Sequence, residues 1–335
     1  MSEIVKNKSS KVGAWIGAMR LRTLPLSFSV ILIGSSVAYL TTKMDEPAVQ
    51  GPWLPRWEFS WLIFTLTILT TLCLQILSNL ANDYGDALKG ADNDGRIGPD
   101  RAIQSGLISP QSMKKGIIIT TIITLISGIW LLLETFEYQF DLAFIVFFLL
   151  GVLSIAAAIK YTVGKRAYGY SGFGDIFVFI FFGLLGVIGS YWLQDSTFHW
   201  EILLPAIYMG CISVAVLNLN NMRDRVNDEK VGKRTFVVHL GFKRSKNYHY
   251  LLFIIAHVCF PLILLVDILL VDILIIEGDF KFLIPFAPVA VIHAIHINKV
   301  RKVDDPKDFD PELKKIALSA FLFAVLFFAT VLIFH

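Results

Sequence analysis

Long apolar runs alternate with short polar stretches along almost the whole chain. Nine runs are close to 20 residues long, enough for a helix to cross the ~30 Å hydrocarbon core of a bilayer. They are Leu24–Thr42, Phe59–Leu80, Gly116–Leu133, Leu142–Tyr161, Gly172–Leu193, Ile202–Leu219, Tyr250–Leu270, Phe282–Lys299 and Ile316–Phe334. The stretch from Tyr250 to Ile276 also accommodates one long helix, or a helix with a re-entrant end. The pattern predicts an all-α polytopic membrane protein with nine transmembrane helices. No soluble domain interrupts the series, so residues 1–335 read as a single membrane domain. The connections Glu134–Asp141 and Gln194–Glu201 are short, which makes their flanking helices antiparallel neighbours. The connections at 81–115 and 220–249 are long, and each opens on a cluster of Asn and Asp. A span, a polar cluster and a basic stretch thus form a weak internal repeat.

Charge placement supports the count. Of the 30 Lys and Arg residues, only Lys43, Arg56 and Lys281 fall on one side of the series; all others lie in the tail or in alternate connections on the opposite side. Positive charge accumulates on the cytoplasmic face of membrane proteins. This predicts a cytoplasmic N-terminus, an external C-terminus and an odd number of spans. Residues 1–23 are then a cytoplasmic tail, and 81–115 and 220–249 are cytoplasmic loops that carry the chemistry.

Composition agrees: 55% of residues are hydrophobic and 17% charged, too few charges to cover a soluble domain of this size. The net charge of +3 records membrane orientation and gives no argument for nucleic acid. The basic tail resembles the start of a signal peptide, but the apolar run behind it is too long and belongs to a regular series. Cys73, Cys211 and Cys259 lie inside spans without metal or redox spacing, and read as packing residues. Pro25, Pro205, Pro261, Pro285 and Pro288 lie in or near spans, where neighbouring helices absorb kinks. Gly172, Gly174, Gly183, Gly186 and Gly189 read as a close-packing face.

The two polar clusters are the candidate chemistry. Asn82, Asp83 and Asp86 fall at helical spacing on one face, as do Asn220, Asp224 and Asp228. Either cluster alone is compatible with ordinary helix capping. Both together on one side of a membrane point to a shared cation, because crowded carboxylates near hydrocarbon repel one another and lose solvation. Acids and amides without Cys or a facing His suit Mg²⁺, or Mn²⁺, rather than zinc. Mg²⁺ fills its shell with water and substrate phosphates, so a diphosphate bridging the clusters satisfies it. Arg101, Arg223, Lys230, Lys233 and Arg234 lie in the right connections to hold the remaining oxygens, although each also counts toward the positive-inside bias. A diphosphate at a membrane surface suggests a lipid donor. The aromatic run Phe177–Phe182 is available to line a dry cavity, or to face lipid. His239, His249, His293 and His296 have no acidic partner at metal spacing; His293 and His296 share a face and read as interhelical packing. A divalent-cation transporter built on the same acids is the alternative class, but it favours acids near the bilayer midplane.

These residues carry a resemblance. The chain resembles the UbiA-type intramembrane prenyltransferase superfamily, and within it the branch of menaquinone biosynthesis. The first motif, N-D-x-x-D, stands as Asn82-Asp83-Tyr84-Gly85-Asp86 and runs on through Lys89-Gly90-Ala91-Asp92 to Arg101-Ala102-Ile103-Gln104-Ser105-Gly106. The second stands as Asn220-Asn221-Met222-Arg223-Asp224, through Asp228 to Gly232-Lys233-Arg234-Thr235. Arg22-Thr23-Leu24-Pro25 and Gly172-Phe173-Gly174-Asp175 also match. The resemblance covers nearly the whole chain. It departs at Gly90, where ubiquinone-type enzymes carry a third Asp, and at Lys165-Arg166-Ala167, where relatives have a Gly/Pro-rich turn.

The resemblance implies a nine-helix UbiA-type bundle in a bacterial inner membrane, with its active site facing the cytoplasm. It implies Mg²⁺-dependent transfer from a polyprenyl diphosphate to 1,4-dihydroxy-2-naphthoate, with decarboxylation to a demethylmenaquinol. Homogentisate and 4-hydroxybenzoate remain alternative acceptors. By the same resemblance Asn82, Asp86, Asp92, Asp224 and Asp228 hold the metal, with Asp92 replacing the acid missing at Gly90. Asp83, Asn221, Arg101, Arg223 and Lys233 support the diphosphate, and Lys160 and Tyr161 position the naphthoate.

Overall fold

Two glycines decide where the polar clusters stand. In the computed structural model, the apolar helix that precedes each cluster does not stop at the membrane boundary. It runs on through the cluster and ends only at a left-handed glycine, Gly90 (φ 68°) in one case and Gly232 (φ 76°) in the other. Glycine adopts that conformation without the Cβ clash other residues meet, so it terminates helices in this way. The expected spans ending at Leu80 and Leu219 are therefore helices Trp61–Leu88 and Leu203–Lys230. The clusters are their last turns rather than loops.

The structure describes residues 10–44, 58–93, 95, 97–98, 101–196, 198–269 and 284–334. The helices are α1 (Lys11–Met19), α2 (Leu24–Met44), α3 (Trp61–Leu88), α4 (Pro110–Thr135), α5 (Leu142–Lys160), α6 (Gly174–Val178), α7 (Gly189–Asp195), α8 (Leu203–Lys230), α9 (Phe236–Leu240), α10 (Phe242–Leu269), α11 (Phe286–Lys302) and α12 (Phe309–Phe334). A widened, π-helical stretch, Phe179–Ile188, joins α6 to α7, so Gly174–Asp195 is one continuous rod. No strand occurs among the described residues. Side-chain caps begin several helices: Ser60 before α3, Ser109 with Pro110 before α4, and Asp141 before α5. Each accepts from an otherwise unpaired backbone N–H of the first turn.

Among the described residues, seven helical segments are long and apolar enough to cross a membrane: Leu24–Thr42, Trp61–Leu88, Pro110–Thr135, Leu142–Lys160, Gly174–Asp195, Trp200–Lys230 and Pro306–Phe334. They match the first six expected spans and the last. α10 and α11 stand where the seventh and eighth were expected; α11 has only 17 residues. The C-terminal part of the Tyr250–Ile276 stretch and the start of the eighth expected span, at Phe282, lie outside the described residues. The protein is a multi-pass, all-helical membrane protein.

The main core gathers around α8, which packs against α10, α12 and the π-helical stretch, while α2 packs on α12. Gly183 and Gly210 allow the tight crossing: a Cβ on Gly183 would lie 2.8 Å from the Gly210 Cα. Small residues permit such backbone approach between membrane helices. α5 lies at the edge, packed on α3 and α4. The three cysteines are free, with Cys211 and Cys259 buried.

His293 and His296 pack between helices. His296 also meets an acid, Glu312 of α12, sixteen residues on: Nδ1 lies 2.6 Å from Oε2. Glu312 is also held by Lys315 and Lys299 at 2.7 and 3.0 Å. His296 Nε2 meets His249 Nε2 at 2.8 Å, and Asn218 Nδ2 lies 3.4 Å from His249 Nδ1. With Glu312 ionised, each group in this row donates toward the carboxylate, and both histidines stay neutral. The row ties α12, α11, α10 and α8 together through side chains that are fully buried. Such a row stabilises only when complete. Glu312→Leu should therefore destabilise the detergent-solubilised protein by about 3 kcal/mol, the scale of breaking a buried pair. Thermal unfolding should show Glu312→Gln, which retains an acceptor for His296, falling between that variant and the wild type.

Candidate active site

A cavity of about 450 Å³ opens between the last turns of α3 and α8 and runs into the bundle. Asn82 and Asp86 enter it from α3, and Asn220, Asn221, Arg223, Asp224, Asn227 and Asp228 from α8. Asp92, Arg101 and Lys233 complete its polar end. The two clusters therefore share one space.

Within the first cluster the side chains divide. Asp83 turns away from the cavity, where Arg20 Nη2 reaches its Oδ1 at 2.6 Å and Arg101 Nη1 at 3.3 Å. Arg101 also lies 3.7 Å from Asp92. Asp86 stays on the cavity wall and accepts the Tyr170 hydroxyl at 2.8 Å. Thr162 caps this turn from below, donating to the Ala81 carbonyl at 3.0 Å. The fit needs Gly85, since a Cβ there would stand 2.6 Å from the Thr162 hydroxyl.

In the second cluster both acids line the cavity. Arg223 grips Asp224 with Nε at 3.0 Å and Nη2 at 2.7 Å; Nη2 also donates to Asn220 (2.8 Å), and Nη1 to Asp310 of α12 (2.5 Å). Its donors thus go to protein groups rather than to the cavity. Lys233 lies 3.6 Å from Asp228 Oδ1. Asp228 Oδ2 is buried with no hydrogen-bond partner among the described residues.

Contacts missed in the sequence bind the halves. Asn227 donates to the Ala91 carbonyl at 3.0 Å, joining α8 to the segment that carries Asp92. Tyr170 holds Asp86 through its hydroxyl, accepts the Arg234 N–H on its carbonyl at 3.0 Å, and packs its ring 3.9 Å from the Lys89 ammonium. Lys233 stands 5.5 Å from the same ring. Burial and Asp86 keep the Tyr170 phenol protonated, well above its ordinary range. Burial alone would lower the Lys233 ammonium, but Asp86 and Asp228 outweigh it and hold the group charged. The signal for Asn227 was its place beside Asp228, one turn beyond Asp224. Tyr170 left no comparable mark, since its partners lie far off in the chain.

Other expected residues are placed as follows. Tyr161 lines the cavity, and burial pushes its phenol up to about 12. Lys160 is exposed and outside the cavity wall, as are Lys230 and Arg234. Of the aromatic run, Phe177, Phe181 and Phe182 line the cavity, whereas Phe179 packs on Gly210. Deeper, the wall turns to Val30, Leu74, Leu132, Phe147 and Leu193.

Among the described residues no three His, Cys, Asp or Glu side chains converge into a ready metal cage. The donor set nevertheless suits a hard cation. It is all oxygen, it is carried by two opposed turns, and the spare Asp228 oxygen is buried at the cavity. A phosphate ligand is needed to complete such a site, and an anion between the turns would meet Lys233 and Arg101.

Comparison with known proteins gives the family and the fold. Residues 47–326 match the UbiA prenyltransferase family. A 1,4-dihydroxy-2-naphthoate octaprenyltransferase of Escherichia coli is 42% identical over 259 residues, covering 77% of this chain and 79% of that protein. One of Haemophilus influenzae is 43% identical over 252 residues, covering 75% and 77%. A solved UbiA homolog from Archaeoglobus fulgidus, bound to GPP and Mg²⁺, superimposes with a TM-score of 0.61 over 93% of this chain and 99% of that one. At 16% identity it speaks for the fold alone.

Tyr170→Phe keeps the ring over Lys89 and removes only the donor to Asp86. Titration calorimetry of Mg²⁺ with inorganic diphosphate should show binding about tenfold weaker, equivalent to ~1.4 kcal/mol for one hydrogen bond to a charged group. Unchanged affinity would mean that the Tyr170 hydroxyl does not organise Asp86.

Proposed function

We propose that this chain, which belongs to the UbiA prenyltransferase family, transfers a polyprenyl group from its diphosphate to 1,4-dihydroxy-2-naphthoate in the membrane. One observation carries the reading: both acidic turns face a single cavity whose far end is apolar, in a chain closely similar to curated enzymes named for that reaction. The donor's diphosphate lies between the acidic turns and its isoprenoid chain follows the apolar wall.

Asn82, Asp86, Asp92, Asp224 and Asp228 would hold Mg²⁺ with the diphosphate; Mn²⁺ suits the same oxygens. When bound, the metal supplies positive charge to a leaving diphosphate. The protein does the rest. Lys233 and Arg101 offer charge to the phosphate oxygens. Phe177, Phe181 and Phe182 present aromatic faces to the allylic carbon as its bond to oxygen weakens. Their dry wall keeps water from capturing that carbon before the naphthoate does. A new carbon–carbon bond then forms on the ring, carbon dioxide leaves, and the carboxyl proton departs with diphosphate. The product is a demethylmenaquinol. Tyr161, a buried phenol that stays protonated, is the group on the wall best suited to orient the acceptor.

The topology proposed with this function has nine crossings, α10 and α11 being the seventh and eighth, with the N-terminus and both acidic turns cytoplasmic. Its support is the one-sided distribution of Lys and Arg. The membrane is the bacterial inner membrane, as the origin of the similar enzymes suggests.

Purified protein in detergent, given 1,4-dihydroxy-2-naphthoate, a polyprenyl diphosphate and Mg²⁺, should form a product whose mass equals ring plus tail. Chelation with EDTA should abolish turnover, and added Mg²⁺ should restore it. Asp86→Ala and Asp224→Ala should each lower kcat by at least about 10²-fold, the scale of losing one group that stabilises transition-state charge. Full activity in both variants would remove the acidic turns from the reaction.

A further inference from the structure

One phenol of the cavity wall is clamped by the segment that follows it in the chain. Tyr161 comes directly after α5, and its N–H donates to the Ala157 carbonyl at 3.0 Å. The Tyr168 hydroxyl donates to the same carbonyl at 2.8 Å. The two rings then meet at right angles, with centroids 5.2 Å apart. The Gly169 N–H closes back on the Tyr161 carbonyl at 3.0 Å. Backbone and ring are both held.

Two buried glycines of the same segment flank the hydroxyl end of that ring. A Cβ on Gly169 would stand 3.0 Å from Cε1 and Cζ of Tyr161, and 2.7 Å from its carbonyl oxygen. A Cβ on Gly174, which opens α6, would approach from the Cε2 side and stand 3.0 Å from the hydroxyl oxygen. Both are closer than an ordinary contact of ~3.5 Å. Neither glycine has a left-handed backbone, unlike Gly172 between them (φ 84°), so conformation does not call for them. Close approach to Tyr161 does.

The hydroxyl held this firmly makes no hydrogen bond among the described residues. The charges that act on it are Lys233, Asp86 and Asp228, all on the cavity wall, together with Asp175. An unused donor is thus fixed at the polar end of the cavity, where leaving group and acceptor meet.

We infer that Gly174, backed by Gly169, is a positioning residue for the acceptor: together they fix the Tyr161 hydroxyl where it donates to an oxygen of the naphthoate. The identity of that ligand rests on the prenyl-transfer reading. Gly169 blocks one side of the ring, so a methyl group at Gly174 has to displace the hydroxyl. Hydrogen bonds weaken steeply as distance and angle depart from their optimum. Removing the hydroxyl instead makes room for the methyl, because Cε2 lies 3.6 Å from the same Cβ position. Gly169 has no such relief, since a Cβ there meets the Tyr161 backbone.

The test is a mutant cycle of Gly174→Ala with Tyr161→Phe, run beside a second cycle of Gly169→Ala with Tyr161→Phe. Melting without ligand reads the contact. Affinity for 1,4-dihydroxy-2-naphthoate, with Mg²⁺ and non-hydrolysable geranyl thiolodiphosphate present, reads the positioning. Gly174→Ala should lower the melting temperature alone but not in the Tyr161→Phe background, whereas Gly169→Ala should lower it in both. Gly174→Ala should also weaken naphthoate binding about tenfold, the scale of one lost hydrogen bond. It should leave thiolodiphosphate affinity unchanged and weaken naphthoate binding no further in Tyr161→Phe. Unchanged naphthoate affinity in Gly174→Ala, or a loss that persists in the Tyr161→Phe background, overturns the inference. Wild type that binds naphthoate but never prenylates it loses the proposed reaction, while the cycle still decides the role of Gly174.

Discussion

The whole site depends on one constraint: four carboxylates, Asp83, Asp86, Asp224 and Asp228, are buried at the ends of two membrane helices. Each buried charge costs several kcal/mol unless it is paired and hydrogen-bonded. The fold answers asymmetrically. In each turn one acid is paired with arginine, Asp83 with Arg20 and Arg101, and Asp224 with Arg223, which grips it with two nitrogens. The other acid, Asp86 or Asp228, lines the cavity. Asp86 receives a neutral phenol, and Asp228 keeps one oxygen without a protein partner among the described residues. The arginines thus hold the scaffold together, while Asp86 and Asp228 stay on the wall of the cavity where a cation with a diphosphate can meet them.

That division also explains the connections around the site. The acids work as a pair of turns only if α3 and α8 end at the same level and in register. Gly90 and Gly232 end both helices by the same left-handed turn. Asn227 fastens one turn to the segment beyond the other, and Tyr170 links Asp86 to Arg234 through a single residue. Asp310 and Glu312 extend the same logic to α12. The first holds Arg223, and the second begins the histidine row that ends on Asn218, one turn before Asn221. A polar row through an apolar core is poor for stability alone, and buried polar groups are best attested where they select one register. Here that register is the azimuth of α8.

Local patterns made much of this readable in advance. Apolar run length marked the helices, and helical spacing put Asn220, Asp224 and Asp228 on one face, where the structure finds them lining the cavity. The same spacing grouped Asp83 with Asp86, and there it misled. Spacing says which residues share a face but not which neighbour that face meets, and Arg20, 63 residues away, claims Asp83. The extension of α3 and α8 through their clusters was hidden because polarity resembles a boundary, whereas the terminating signal was the glycine beyond it. Glu312 escaped notice as a partner of His296 because a pair across two helices leaves no periodic trace. Tyr170 escaped for the same reason.

The aromatic run shows how backbone geometry converts such ambiguity into a decision. In a regular helix, residues of Phe177–Phe182 would point around the full circumference, half toward lipid. The π-helical stretch beginning at Phe179 carries more residues per turn, a geometry that recurs at functional sites. It keeps Phe177, Phe181 and Phe182 together on the cavity side, while Phe179 presses on Gly210 and Ile180 takes the exposed face. The close Gly183–Gly210 crossing sits within the same stretch, so the widened helix is clamped against α8 where its hydrogen bonding is least regular. Since α8 also carries the second acidic turn, that crossing fixes the aromatic wall relative to the acids. Distance from leaving group to aromatic face is then set by rigid helix packing, not by loops, as a reaction that must exclude water requires.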